Sequence, residues 1–216
     1  MGQYYKAVCI ENKEYISSYD YGSGSKLMEH SYLRNTFVEA VARLLLKNNN
    51  WYKKRIVWAG DYGENISILD GLYDEVIKVK LEQKNTNNYY KDYKLEDIDV
   101  NIYEIASLCF EKISPFNEEE SYELEGIVRY FYNVDKKEFI DINRCRITSE
   151  YGHIIHPLPL LTADGNGLGL GDYHVRGDDD EFIVGSWAGD RIVASYEFDN
   201  EYNDFTEIIP DFMETA

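Results

Sequence analysis

Basic residues are scarce in this chain. Its 216 residues include 22 Lys and Arg against 40 Asp and Glu, which gives a formal net charge of −18. A surface of that sign repels nucleic-acid phosphates, so the composition disfavours nucleic acid as a partner. The charge suits solubility, a basic protein partner or mimicry of a polyanion.

Cysteine is also scarce, and long apolar runs are missing. The three cysteines, Cys9, Cys109 and Cys145, are odd in number, widely spaced and without a CxxC pair. This pattern argues against a disulfide framework or a zinc ribbon and fits a reducing compartment. No apolar run approaches the roughly 18 residues of a membrane span, and no signal-peptide pattern is present. We therefore expect a cytoplasmic protein without a membrane span.

The sequence contains none of the common catalytic or nucleotide-binding motifs. It has no GxSxG and no GxxxxGK[ST]. Its nearest approach to GxGxxG starts at Gly165, but Leu170 stands at the third glycine position and no helical pattern follows. The chain is accordingly expected to act without catalysis, and no catalytic residue is assigned.

Strand and helix patterns alternate along the chain in blocks. The segments 4–19 and 126–141 are rich in β-branched and aromatic residues around short polar turns, which is typical of β-hairpins. The segment from Thr36 to Lys47 has helical periodicity, with Thr36 and Glu39 at capping-box spacing. A buried strand is predicted from Arg55 to Ala59. The overall prediction is one compact α+β domain over 1–216, with an antiparallel sheet and helices between its halves.

Two pairs of similar segments occur in the same order along the chain. Ile10–Ile16 is similar to Val134–Ile140 at an offset of 124 (140 − 16), and Trp-Ala-Gly-Asp occurs at 58–61 and 187–190, an offset of 129 (187 − 58). Slowly drifting offsets are typical of a diverged internal duplication with loop insertions. The alternative is chance similarity. The duplication predicts half-repeats 4–62 and 128–190, joined by a mainly helical segment 66–125.

Several of these segments also carry a resemblance. They are MGQYYK at 1–6, KLMEHS at 26–31, RIVWAGDY at 55–62, HPLPLLTADGNG at 156–167 and GSWAGD at 185–190. Together they resemble a family of bacterial, phage and prophage proteins with no established activity. The resemblance covers most of the chain and implies a setting in mobile genetic elements. In that family the glycine loop is more basic, and this chain has Leu168 and Leu170 at loop positions where the family differs.

The glycine-rich stretch that begins at Asp164 is a candidate ligand loop. Asp164, Asn166 and Asp172 are hard oxygen donors on a flexible backbone, and Ca²⁺ takes roughly 6–8 such oxygens. These three residues are therefore a candidate site for calcium or another divalent cation. No other cofactor is predicted. The competing interpretation is structural: the glycines let this connection lie closely over Trp187.

A pocket between the two WAGD segments is the second part of the site prediction. Two tryptophans would form aromatic walls, and carboxylates with a nearby arginine and histidine would supply polar groups. The complete set of predicted ligand-binding residues is Trp58, Asp61, His156, Asp164, Asn166, Gly167, Gly169, Asp172, Trp187, Asp190 and Arg191.

Three functional hypotheses follow from these patterns. The first is a non-enzymatic acidic binding protein of a phage or mobile element, acting on a host protein and including an anti-defence role. The second is a binder of a small ligand or nucleotide signal that uses the glycine loop and the WAGD segments. The third is a metal-dependent hydrolase with its metal at Asp164, Asp172 and His174.

Overall fold

Both predicted hairpins are present in the computed structural model. It describes residues 3–64, 66–69, 101–115, 127–145, 154–165, 173–175, 184–206 and 212–214. Strands β1 (Tyr5–Cys9) and β2 (Glu14–Ser17) form the first hairpin, and β5 (Tyr130–Asn133) and β6 (Glu138–Asp141) form the second. The polar turn residues Lys13 and Lys137 take positive φ angles of 53° and 57°.

The hairpins belong to one mixed sheet of nine strands, and the α+β prediction is confirmed. The strand order is β10-β6-β5-β9-β3-β1-β2-β4, with β7 paired to β3. The purely antiparallel sheet expected from the sequence is wrong, because β2–β4, β6–β10 and β3–β7 are parallel pairs. A short hairpin forces antiparallel strands, whereas a long connection allows either direction.

The remaining strands are β3 (Lys54–Gly60), β4 (Glu111–Lys112), β7 (Ala163–Asp164), β9 (Arg191–Ser195) and β10 (Asn203–Asp204). A separate two-stranded sheet pairs β8 (Tyr173–Val175) with β11 (Phe212–Glu214).

Four short α-helices accompany the sheet in the described residues: α1 (Leu27–His30), α2 (Thr36–Leu44), α3 (Ile102–Cys109) and α4 (Pro157–Leu161). The described residues also hold 3-10 turns at Ser18–Tyr21, Ile66–Leu69 and Ile142–Arg144. None of the described helices has the length and apolar character needed to cross a bilayer.

Helix α2 begins where the sequence predicts, but with a different cap. The side chain of Asn35 accepts hydrogen bonds from the backbone N–H groups of Phe37 and Val38. The predicted Thr36–Glu39 capping box is wrong, because Glu39 is buried and Asn35 supplies the capping oxygen. Of the predicted helical segment 66–125, α3 is helical, and 70–100 and 116–125 lie outside the described residues.

The two faces of the sheet are covered by different layers. Because side chains alternate along a strand, Ala7 and Trp58 face the main core while Val8 and Val57 face the opposite side. The main core includes side chains from α1, α2 and α4. The opposite side of the first half is covered by α3 and the turn at 66–69.

The two hairpins have the same register. Ala7 pairs with Ile16 in the first hairpin, and Phe131 pairs with Ile140 in the second, an offset of 124 (131 − 7) on both strands. In each half an edge strand is parallel to the second strand of the hairpin: β4 pairs with β2, and β10 pairs with β6. Each half thus presents four strands in the same order and direction.

The inner strands β3 and β9 also correspond. Val57 pairs with Val8, and Val193 pairs with Tyr132, so residues of β3 and β9 are related by an offset of 136 (193 − 57). The two halves meet where β3 and β9 pair antiparallel. Arg55 lies opposite Arg191 at this junction, and these two residues share the same offset of 136 (191 − 55).

The two WAGD segments do not occupy corresponding positions in the sheet. Trp58 lies within β3, and its partner at the offset of 136 is Ala194 (194 − 58). Trp187 precedes β9, and its partner at the same offset is Trp51 (187 − 136). The predicted equivalence of the two WAGD segments is therefore wrong. Structural correspondence follows from strand pairing, and the pairing places the two segments at different positions despite their identical sequence.

Candidate functional site

Two predicted site residues, Asp61 and Asp164, come together at one end of the sheet. Asp164 is paired with Ala59 in the parallel β3–β7 ladder, and Asp61 follows the end of β3. A Cβ placed on Gly63 would lie 2.6 Å from Oδ2 of Asp164, so the turn after β3 lies directly against this buried carboxylate. Asp61 Oδ1 accepts a hydrogen bond of 3.0 Å from the N–H of Tyr4, and burial raises the pKa of its carboxyl.

The glycine loop starts from a closely packed base. A Cβ on Gly165 would collide with the hydroxyl of Tyr5 and would lie 2.6 Å from Oε1 of Gln3. Both of these side chains are buried. The expected contact of the loop with Trp187 falls on residues 166–172, which lie outside the described residues. The predicted ligand residues Asn166, Gly167, Gly169 and Asp172 lie outside the described residues.

The cation prediction concerns a loop of which the structure describes only the base. Within the described ranges, no group of three or more His, Cys, Asp or Glu side chains could hold a metal ion. If the loop binds calcium or another divalent cation through Asp164, saturation at about 100 times Kd should raise the free energy of unfolding by about 2.7 kcal/mol. A thermal-shift titration with Ca²⁺, Mg²⁺ and Mn²⁺ measures this.

The matched control for that titration is Asp190→Asn, which removes the carboxylate of the second WAGD segment and leaves the glycine loop unchanged. The shift should disappear in Asp164→Asn and persist in Asp190→Asn. A flat titration, or an equal shift in Asp164→Asn, would contradict the cation prediction. A parallel nucleotide panel tests the small-ligand hypothesis at the same loop.

Trp58 and His156, two other predicted ligand residues, are buried in the main core. The indole Nε1 of Trp58 donates a hydrogen bond of 2.7 Å to Nε2 of His30. His156 caps helix α4, because its Nδ1 accepts a hydrogen bond of 3.2 Å from the N–H of Leu158. Burial lowers the pKa of both histidines to about 3, so each is neutral near pH 7.

Asp190 and Arg191 take part in contacts within the second half. Oδ2 of Asp190 accepts hydrogen bonds from Asn133 Nδ2 at 2.7 Å and from Lys136 Nζ at 2.6 Å. Arg191 forms an ion pair with Asp135, which lowers the pKa of that carboxyl through hydrogen bonding to the guanidinium.

Arg191 and Asp61, two of the residues predicted for the pocket between the WAGD segments, lie toward opposite ends of β3. Arg191 pairs with Arg55 near the start of β3. Asp61 follows the opposite end of that strand, about 20 Å away at about 3.3 Å per residue. Trp187 is buried and donates its indole N–H to Oε2 of Glu138 at 2.8 Å.

The sequence analysis did not predict an open groove that lies on the second half of the sheet, on the side that faces away from the main core. Its volume is about 580 Å³. Tyr132 and Val193 of the sheet contribute to its lining. The complete lining, called here the aromatic groove, consists of Lys47, Tyr52, Lys53, Tyr132, Val193, Ala194, Ser195, Glu197, Phe198, Asp199, Asn200 and Tyr202.

One wall of the aromatic groove is held in place by Tyr132. Its hydroxyl donates to the carbonyl of Glu197 at 3.0 Å and accepts from the N–H of Asp199 at 2.8 Å. The ring of Tyr202 lies 4.8 Å from that of Tyr132. Phe198 is 58% exposed. The alternation of aromatic and acidic residues at 196–205 is the sequence signal for this wall.

Lys6 is a buried cation on the corresponding side of the first half. Its exposed fraction is 7%, and its Nζ lies 3.6 Å from the ring centroid of Tyr103 and 4.8 Å from that of Tyr15. The ammonium donates a hydrogen bond to Ser107 Oγ in α3. Burial, with a smaller contribution from Lys112, lowers the pKa of Lys6 to about 8.

The lowered pKa of Lys6 predicts a rise in stability with alkaline pH. Between pH 8 and the ordinary value of 10.5, the unfolded chain binds a proton at this site that the folded chain does not, so the free energy of unfolding increases with pH. We expect a contribution of about 1–2 kcal/mol, reduced by solvent screening. Urea unfolding of the native chain and of Lys6→Met between pH 7.5 and 10 measures it by difference. Equal pH slopes in the two proteins would contradict the assignment.

Comparison of the chain with protein-family models, curated proteins and solved structures found no match.

Proposed function

We propose that this chain acts by binding a partner protein at the aromatic groove, as a non-enzymatic component of a mobile genetic element with a host protein as its target. The observation that carries the proposal is the groove itself, where aromatic side chains meet partly exposed sheet. The mobile-element setting comes from the sequence resemblance, and the anti-defence role is part of the same proposal.

The chemistry of the groove supports recognition of a protein. Tyr52, Phe198 and Tyr202 contribute aromatic side chains to its lining, and the 58% exposure of Phe198 leaves apolar surface available to a partner. Aromatic side chains supply much of the binding energy in protein interfaces because they bury large areas with few rotatable bonds. Tyr196, which neighbours the lining in sequence, is 46% exposed.

Charge supports the choice of partner and predicts how binding depends on salt. The chain carries a formal net charge of −18, so its long-range field favours encounter with a basic protein. The lining itself contains Lys47 and Lys53 as well as Glu197 and Asp199. Charges of both signs at the rim of an interface set orientation more than affinity. Complex formation is therefore expected to slow as ionic strength rises.

Reconstitution with a purified partner tests this function. Proteins captured from a host lysate by the tagged chain would be produced separately and mixed with it, and the complex would be measured by calorimetry and by mass in solution. The expected result is a complex of fixed stoichiometry whose association rate falls between about 50 and 300 mM salt. Failure of every reproducibly captured protein to form such a complex would contradict the proposal.

The matching registers of the two halves support a second proposal, that the fold arose by internal duplication. In this proposal, residues of the two hairpins correspond at an offset of 124, and those of the inner strands and the residues before them at an offset of 136. Trp51 then corresponds to Trp187, and Glu14 corresponds to Glu138 (138 − 124). Trp51 Nε1 donates to Glu14 Oε2 at 2.7 Å, as Trp187 does to Glu138 at 2.8 Å. Sequences of relatives would test the proposal, because a common origin predicts that both tryptophan–glutamate pairs are retained together.

A further inference from the structure

In the first half, helix α3 packs on the side of the sheet that faces away from the main core. Val8, Val57 and Ala59 belong to the same buried cluster as Ile102, Ile105 and Ala106 of helix α3. These helical residues have the i, i+3, i+4 spacing of a single apolar face. In the described residues, this amphipathic helix and the turn at 66–69 cover that side of the first half.

The floor of the aromatic groove is the corresponding surface of the second half. At the offsets of 124 and 136, Val8 corresponds to Tyr132, Val57 to Val193 and Ala59 to Ser195. All three residues of the second half line the groove. The strand positions that contact α3 in one half are therefore the positions that face the groove in the other.

The connection on this side of the second half is too short to supply a helix of its own. In the first half, residues 61–110 connect β3 to β4 and include α3. In the second half only residues 196–202 connect β9 to β10, and they form bends and turns. Phe198 and Tyr202 of this short connection line one wall of the groove and leave its floor partly exposed.

We propose that the aromatic groove binds one amphipathic α-helix of the partner protein, over the floor that corresponds to the site of α3. This inference rests on the proposed function and specifies its partner. The occupant is not α3 of a second copy, because Ile102, Ile105 and Ala106 are buried within their own chain.

The lining residues define the chemistry of the bound helix. Its inner face carries aliphatic or aromatic residues at i, i+3, i+4 and i+7, which is the common pattern for a helix in a groove. Lys47 and Lys53 come from the connection between α2 and β3, whereas Glu197 and Asp199 come from the connection after β9. The helix therefore carries a carboxylate on the flank that meets the lysines and a basic residue on the flank that meets the carboxylates.

Selection from two peptide-display libraries tests the helix inference directly. One library would hold peptides of about 16 residues with a side-chain bridge that enforces helix, randomised on one face. The other would have the same length and composition with a central proline, which prevents a continuous helix. The full chain would be the target, and Val193→Lys would place a cation in the floor of the groove. Ile154→Lys is the matched control, since Ile154 is an aliphatic residue outside the groove with 43% exposure.

We expect enrichment from the helical library alone, and at least a tenfold loss of affinity for Val193→Lys with no loss for Ile154→Lys. Far-UV circular dichroism and urea midpoints would show that both variants fold. Enrichment from the proline library alone, or equal binding to both variants, would overturn the inference. So would a reconstituted partner complex that Val193→Lys weakens but that no selected helical peptide displaces, and in that case the proposed function would stand. No complex at all would instead reject the proposed function.

Discussion

Acidification from pH 6.5 to pH 5 should lower the free energy of unfolding by up to about 2.7 kcal/mol per pH unit through His30 and His156 alone. Burial lowers the pKa of both side chains from 6.5 to about 3. Between these values the unfolded chain binds two protons that the folded chain does not. The stability that the neutral histidines provide is therefore present above pH 6.5 and is lost as the pH falls.

The hydrogen bonds of both histidines disfavour protonation, as burial does. Nε2 of His30 accepts from Trp58, and Nδ1 of His156 accepts from Leu158, so a proton on either atom would break a bond already made. Nδ1 of His30 is buried and has no hydrogen-bond partner in the described part of the chain. An imidazolium at this position would therefore be left without an acceptor.

Urea unfolding at pH 7.5, 6.0 and 5.0 measures the effect, with His30→Gln and His156→Asn as variants. Both substitutions retain an acceptor and remove the titrating ring. Each single variant should lose about half of the pH slope contributed by the histidines, and the double variant should keep only the slope that the carboxylates contribute. A slope that is unchanged in the double variant would contradict the prediction.

Alanine in place of Trp51 or Trp187 should cost about 3–5 kcal/mol of stability in either case. Both indoles are fully buried, and each lies against the main core. Each substitution removes a large apolar volume and also deprives a glutamate, Glu14 or Glu138, of its indole donor. The two costs should be similar, because the two tryptophans make corresponding contacts at similar distances.

Phenylalanine at the same positions separates volume from hydrogen bonding. Trp51→Phe and Trp187→Phe should each retain most of the packing and cost about 1–3 kcal/mol. Trp58→Phe is the comparison, because it releases a neutral imidazole acceptor where the other two release a carboxylate. Urea unfolding at pH 7.5 gives all three values. A large cost for Trp187→Ala beside a cost below about 1 kcal/mol for Trp51→Ala would contradict the correspondence of the two sites.

The hairpins were predictable because their signals are local. Alternating apolar side chains on either side of a short polar turn specify both strands and their pairing, as in Tyr5–Ser17. The edge strands β4 and β10 were not predictable. Each contains two residues, and each forms its parallel pair through a partner distant in sequence. No periodic pattern can mark a segment of that length.

The candidate site was predictable only in part, for a related reason. Asp61 was predicted from its WAGD segment and Asp164 from the glycine-rich stretch, and parallel pairing of β3 with β7 brings them together. The aromatic groove collects its lining from the connections around Lys47, around Lys53 and around Phe198, and from β5 and β9. Its shape depends on the sheet order, which no single segment encodes.

The two halves exchange contacts at their shared boundary, and this has a consequence for synthesis. The N–H of Trp58 donates to the carbonyl of Thr162, and the N–H of Ala194 donates to that of Leu45. Strand β3 therefore cannot complete its hydrogen bonding until residues beyond 160 have left the ribosome, and β9 closes a loop of more than a hundred residues. Contacts of such sequence separation form slowly because loop-closure entropy must be overcome first. The first hairpin and strand β3 therefore keep an unpaired strand edge until those residues have been synthesised.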